Sequence, residues 1–309
     1  MTEPIAYLNG EWVPFSAARL SVADYGVVQA ATVTELIRTF RHRPFRMAEH
    51  LVRLRHSLAA TGIASPILVD ELPPVIERVV AENTQLVDES DDLGITVFAT
   101  AGINPMYGGG SVPIQEAPTV CVHSFPLAFE RWAEQYERGV TLITPSIRSI
   151  PRATIDPRIK CRSRLHWFLA DREAQRSGPR AMALLLDDDW HLTETSSGNV
   201  LLYDGHLLQT PRAKCVLGGI SQGVVLELAE SFGITHRERN LNVSDLLEAK
   251  EVFVSSTSYC LLPVISVNGK TIGSGTPGPL FRRLIDGWSR MIEMDIVGQA
   301  QERTNSRTA

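Results

Sequence analysis

The chain has 309 residues, a formal net charge of −5, 44% apolar and 21% charged side chains. That length suits two domains with sizeable cores, and the composition excludes a disordered chain. The acidic balance, with no Lys/Arg run forming a basic arm, argues against a nucleic-acid binder, and no apolar run reaches the length of a membrane span. Met1-Thr2-Glu3-Pro4 lacks the charged-then-apolar pattern of a secretion signal. The four cysteines (Cys121, Cys161, Cys215, Cys260) form no C-x-x-C pair. Neither a disulfide framework nor a metal site is expected, and the expected location is the cytoplasm, with reduced thiols.

Residues 5–14 read as a β-hairpin turning at Asn9-Gly10, followed by a turn at Asp24-Tyr25-Gly26 and an alternating strand at Val33–Phe40. A helix is predicted over Met47–Thr61, with Leu51, Leu54 and Leu58 on one face, flanked by His50 and Arg53. A second helix is predicted over Pro73–Asn83, its prolines tolerated in the first turn. Leu93–Thr100 and Thr119–Phe125 read as strands around the loop Asn104–Gly110. This half, residues 1–125, is expected to be one α/β domain, and the polar, irregular stretch 126–138 an interdomain loop.

The second domain is expected over residues 139–298. Its predicted elements are a strand at Val140–Thr144, a helix from Lys160 to Arg176 and a strand at Met182–Leu186. A hairpin over Asn199–Gln209, a helix over Ile220–Phe232 and strands at Glu251–Ser255 and Leu261–Val267 follow. A last helix is predicted over Pro277–Met294, and residues 299–309 as a flexible tail.

Two features carry the chemistry. Lys160, read as opening an apolar helix, and Glu194, at a strand–turn, suit an enzyme that holds pyridoxal 5'-phosphate (PLP) through a lysine Schiff base and protonates its ring nitrogen with a carboxylate. Nearby cations such as Arg162 and Arg164 would help the lysine shed a proton. Leu217-Gly218-Gly219-Ile220-Ser221 opens a helix and offers free amides to an anion, although a glycine or Ser221 serves equally as a simple cap. Ser255-Ser256-Thr257-Ser258 offers donors after a strand, or is an ordinary polar turn. Each residue alone has a blander reading as surface charge or turn; the combination raises the odds.

At this level of pattern the chain resembles the fold-type IV PLP enzymes, the class IV aminotransferases. These include branched-chain aminotransferases, D-amino-acid transaminases and aminodeoxychorismate lyases. The resemblance runs from Tyr7-Leu8-Asn9-Gly10 to Pro279 through six ordered pieces. They are Glu49–Leu54, Lys160 through Ala174, Thr193–Val200, Thr210-Pro211, Leu217–Ser221, and Val252–Thr257 with Pro263-Val264. It implies an N-terminal α/β sandwich, a barrel-like C-terminal α/β domain, and a homodimer in which the partner completes the pocket. It also implies Lys160 as Schiff-base lysine and proton shuttle, and Glu194 as partner of the pyridine nitrogen. Arg53, Gly219, Ile220, Ser221, Ser256 and Thr257 would hold the cofactor, chiefly its phosphate.

Departures from the family pattern gather around substrate selection. Thr34 stands where relatives place an aromatic, and no arginine or histidine occurs in the loop 101–110 where D-amino-acid transaminases bind the substrate carboxylate. The tyrosine that branched-chain enzymes carry soon after the lysine is missing, and the spacing from Lys160 to Glu173 looks more like D-amino-acid transaminases. Arg162, Arg164, Arg131 and Tyr107, with Ser258, are therefore candidate substrate residues, each equally readable as surface. The leading expectation is a transaminase that takes its amino group from an amino acid, a D-amino acid slightly favoured, or from a related primary amine. A lyase releasing pyruvate and a non-catalytic scaffold are the alternatives.

Overall fold

The computed structural model describes residues 3–64, 66–107 and 117–308, so Gly108–Gly110 of the loop noted above lie outside the described residues. The chain divides into two compact units. The first holds residues 1–127 and 159–163; the second holds 128–158 and 164–309.

The first unit is an antiparallel sheet with two helices layered on it. Its elements are β1 (Ile5–Leu8), β2 (Glu11–Pro14), α1 (Tyr25–Val28), β3 (Thr32–Phe40), β4 (Arg43–Pro44), α2 (Met47–Thr61), α3 (Leu72–Asn83), β5 (Leu93–Thr100) and β6 (Thr119–Pro126). Strand order is β2-β1-β6-β5-β3-β4. The first hairpin turns where the sequence places Asn9-Gly10, and both residues take positive φ, as a tight two-residue hairpin loop demands. Leu51, Leu54 and Leu58 of α2 and Ile76, Val79 and Val80 of α3 bury against Val33, Ile37, Ile95, Val97 and Val122 of the sheet. Each such side chain contributes on the order of 2 kcal/mol by leaving water.

The second unit contains α4 (Gln135–Arg138), β7 (Val140–Ile143), α5 (Leu165–Ala174), β8 (Met182–Leu186), β9 (Leu192–Thr195), β10 (Asn199–Tyr203) and β11 (Leu208–Thr210). These are followed by α6 (Ile220–Ser231), β12 (His236–Glu238), α7 (Val243–Glu248), β13 (Glu251–Ser256), β14 (Cys260–Val267), β15 (Lys270–Thr271), α8 (Pro279–Met291) and α9 (Ile296–Thr308). Strands β10-β13-β14-β7-β8-β9 follow one another, and β9 also pairs with β10, which closes a barrel-like ring. Ring closure removes exposed strand edges. It also sets Glu194 of β9 directly opposite Asn199 of β10.

Three expectations need correction. Lys160 does not open a helix: α5 begins only at Leu165. Residues 160–163 instead run along the start of β3, with Thr34 N–H donating to the Lys160 carbonyl (2.8 Å) and Arg162 N–H to the Thr32 carbonyl (3.0 Å). Cys161 forms an isolated antiparallel bridge with Val33. β4 pairs only with Thr39 and Phe40, so this stretch of β3 has an edge to satisfy, and that outweighs local helix propensity. Of residues 299–309, expected to be a flexible tail, 299–308 lie in α9, anchored by Ile296 and Ala300, which are fully buried. The stretch 126–138 is neither irregular nor wholly polar. It carries a short 3-10 turn at Phe129–Arg131 and α4, and buries Phe129, Trp132 and Tyr136. Among the described residues no helix is long and apolar enough to cross a membrane.

Candidate active site

In the first unit, Lys160 is half-buried and its backbone is held on both sides. Its carbonyl accepts from Thr34, and its N–H donates to the Ser57 hydroxyl of α2 at 3.1 Å. Ser163 donates to the Ala30 carbonyl at 3.1 Å, which ends the paired stretch. The lysine is thus fixed by a strand and a helix rather than carried on a mobile loop.

Beside it lies a buried ionic cluster. Glu35, completely buried on β3, accepts from Arg53 Nε (2.9 Å) and Nη2 (2.5 Å), and from His50 Nδ1 at 3.0 Å. Burial alone would raise the Glu35 carboxyl; the Arg53 charge and the His50 and Arg53 hydrogen bonds more than offset it and hold it far below the usual carboxylate range. His50 is pushed down, by burial first, against the pull of Glu35. Arg53, expected from the sequence to be a phosphate ligand, is thereby locked into one orientation. His50 and Arg53 lie three residues apart on α2 and so share a helix face. The sequence signal for Glu35 was a carboxylate in an otherwise buried strand.

In the second unit, Glu194 Oε2 accepts from the Leu217 N–H (3.3 Å) and the Asn199 amide (3.4 Å). Asn199 also donates to the Leu217 carbonyl at 2.9 Å, which ties the loop before α6 to the carboxylate. Gly219 is the N-cap of α6, and no side chain caps this helix. A Cβ at Gly219 would fall 2.0 Å from Asn199 Oδ1, so only glycine fits while Asn199 keeps its place. Ser221 is not the cap, whereas Gly219 does occupy the cap position, without a side chain to fill it. An uncapped helix start with its dipole is suited to an anion. Ser256 ends β13, and the three-residue loop Thr257–Tyr259 leads to Cys260, which takes positive φ (60°) as such hairpins require.

The candidate substrate residues are placed as follows. Thr34 is buried, and its hydroxyl donates to the Val97 carbonyl at 3.0 Å. Tyr107, Arg131 and Arg162 are exposed, and Ser258 is half-buried. Arg164 is half-buried at the N-cap of α5; its guanidinium donates to the Ser196 carbonyl and lies 5.7 Å from the Trp167 ring. Ser196 is two residues beyond Glu194, so Arg164 is brought to the carboxylate's own turn. Two further residues had not been singled out: Asn199, whose amide positions Glu194, and Tyr259, which follows the hydroxyl run. At the β8–β9 hairpin, Asp187, Asp189 and His191 bring ligand-type atoms within 4.8 Å of one another. Asp187 there accepts from the backbone N–H groups of Asp189 (3.0 Å) and His191 (2.8 Å), which accounts for the cluster as a turn.

A carboxylate is thus fixed at one end of a loop, and a helix start without a side-chain cap, a place suited to an anion, stands at the other. The class IV aminotransferase family model matches residues 32–267. Among curated proteins, the chain is 29% identical over 280 residues to a putative branched-chain-amino-acid aminotransferase of Methanocaldococcus jannaschii (90% of this chain, 93% of that one). It is 30% identical over 280 residues to the D-alanine aminotransferase of Bacillus licheniformis (89% and 93%). Among solved structures it resembles the branched-chain aminotransferase of Escherichia coli, with a TM-score of 0.85 at 27% identity over 94% of this chain and 95% of that one.

The chain belongs to the class IV aminotransferases, and it has their two-domain, barrel-containing fold. These enzymes work with PLP. The second unit's residues fit that group: a buried-edge carboxylate suits a protonated pyridine nitrogen, and the glycine-opened, uncapped start of α6 suits a phosphate.

Proposed function

We propose that this chain moves the amino group of an amino acid to a 2-keto acid, with a D-amino acid as the preferred donor. Lys160 is the attachment point for PLP and the group that carries the α-proton; Glu194 partners the pyridine nitrogen. The observation that carries this reading is Glu194 Oε2 held by Leu217 N–H and Asn199 at the head of the loop that opens α6.

When bound, PLP supplies an electron sink for the bond broken at the substrate α-carbon. Glu194, oriented by two donors, is ready to hold a proton at the ring nitrogen by a charge-assisted hydrogen bond. The Ile220 and Ser221 amides, together with Ser256 and Thr257, take the phosphate, with Arg53 as its cationic ligand, aimed by Glu35. Lys160, its backbone pinned to β3 and to Ser57, would take the proton from the substrate α-carbon and deliver it to the cofactor carbon that keeps the amino group. Among the substrate candidates Arg164 has the most support for binding the substrate carboxylate, because it is a half-buried cation held at the turn after Glu194.

The D-amino-acid preference draws on the lysine-to-Glu173 spacing and on similarity to D-alanine aminotransferases as high as to the branched-chain relative. A homodimer is the proposed working form. α5 exposes Leu165 (71%), Phe168 (57%) and Leu169 (46%) on one face, an apolar stripe suited to a second copy, and sedimentation would test it. Four widely spaced cysteines with no C-x-x-C pair suit a reducing compartment such as the cytoplasm.

The test is the visible spectrum of the PLP-loaded protein before and after D-alanine. Conversion to the pyridoxamine form, with stoichiometric pyruvate, is the expected result. Conversion with L-leucine and not D-alanine would overturn the donor assignment. Catalytic pyruvate release from an amino substrate without a keto-acid acceptor would replace transamination by elimination.

A further inference from the structure

Tyr259 lies where two functional turns of the second unit approach each other. Its side chain is buried, with the residue 6% exposed, and its ring stands 6.4 Å from that of Trp132. Its carbonyl accepts from the Tyr136 hydroxyl at 2.9 Å, which fixes the backbone from the opposite side. The phenol reaches Ser197 Oγ at 3.1 Å. Ser197 belongs to the turn that follows Glu194, and Tyr259 to the loop Thr257–Tyr259 that follows Ser256 at the end of β13.

The Ser197 and Tyr259 hydroxyls share one hydrogen bond, in which either can be the donor. Space reinforces this arrangement. A Cβ at Gly198 would lie 2.1 Å from the Ser255 carbonyl oxygen and 3.0 Å from the Tyr259 hydroxyl, so the glycine admits the two turns to each other. Burial pushes the phenol up to about 12, so it stays a neutral donor and acceptor through the range in which the protein works.

We infer that Tyr259 is a positioning residue, whose hydroxyl sets the spacing between the Glu194 turn and the Ser256–Thr257 turn. This rests on the proposed function, in which the first turn meets the cofactor's ring nitrogen and the second its phosphate. A ligand engaging both turns needs that spacing; a ligand engaging only one does not.

The experiment compares two probes on wild type and Tyr259→Phe, both freed of cofactor, by calorimetric titration. Pyridoxamine 5'-phosphate engages both turns, and inorganic phosphate only one. Tyr259→Phe removes a single oxygen and leaves the ring packed. The expected result is about tenfold weaker binding of pyridoxamine 5'-phosphate with phosphate affinity changed less than about twofold, from the loss of about one net hydrogen bond. Ser197→Ala, which removes one partner at the exposed rim, should give a smaller loss of the same selectivity and stands in if the tyrosine variant fails to fold. Equal weakening of both probes, or no change in either, would overturn the inference. Failure of wild type to bind pyridoxamine 5'-phosphate would instead remove the proposed function beneath it.

Discussion

Around Lys160 the side chains are ordered by charge, whereas around Glu194 they are ordered by neutral groups. In the first unit a fully buried carboxylate, Glu35, holds the Arg53 guanidinium and the His50 ring. In the second, the half-buried Glu194 is held by an amide and a backbone N–H, and the turn beyond it by the hydroxyls of Thr195, Ser197 and Tyr259. Under the proposed function the difference follows from what each half would do. A cationic phosphate ligand must be aimed without losing its charge, which a buried carboxylate achieves at a desolvation cost. A carboxylate meant for a ring nitrogen must keep its own charge available, so neutral donors orient it without neutralising it.

Lys160→Ala has the largest expected effect. It should abolish the visible band of the lysine-bound cofactor and lower turnover at least about a thousandfold. Because the backbone of residue 160 makes the structural contacts, thermal stability should hardly move. A retained band would break the assignment of the first unit's lysine. Glu35→Gln comes next. Removing the carboxylate leaves the half-buried Arg53 short of its counter-charge, which should cost about 3 kcal/mol in urea unfolding. A loss below about 1 kcal/mol would mean that charge does not order this half.

The same contrast is tested in the second unit by Gly219→Ala. The backbone there (φ −74°, ψ 125°) accepts alanine, so its effect is steric displacement of Asn199 and, through it, of Glu194. Cofactor affinity should fall about tenfold, the equivalent of about 1.4 kcal/mol, with little change in stability. Unchanged affinity would show that Asn199 does not position the carboxylate.

The smallest effect expected is in acid. Both His50 and Glu35 titrate below their ordinary values of 6.5 and 4.5 in the folded protein. On acidification the unfolded chain therefore takes up protons first, so stability is complete above pH 6.5 and is lost as pH falls, first through the histidine range and then below the carboxylate range. The phenol of Tyr259 contributes nothing in that interval, because it stays neutral. Amide exchange should show β3 and α2 losing protection by on the order of 1 kcal/mol before β9 and β13 do. Loss of protection in the opposite order would reverse the comparison.

Much of this molecule was legible in its sequence, for local reasons. Asn9-Gly10 specified its hairpin because few other residues accept two consecutive positive φ angles. The stripe of Leu51, Leu54 and Leu58 specified α2, and Gly219 marked the opening of α6. The ordered motifs were enough to place the chain in its family and to select Lys160 and Glu194 as candidates. Other features depended on partners distant in the chain. Lys160 left its expected helix because β3, more than a hundred residues earlier, offered an unpaired edge. Residues 299–308 became helical because Ile296 and Ala300 had a surface on which to bury. Glu35 acquired meaning only when α2 brought His50 and Arg53 over it, and Tyr259 only when ring closure carried β9 and β13 to either side of β10. Backbone propensity and side-chain period are properties of neighbouring residues and are written in their order. Hydrogen-bond saturation and charge compensation are settled among groups that meet only after the chain has folded.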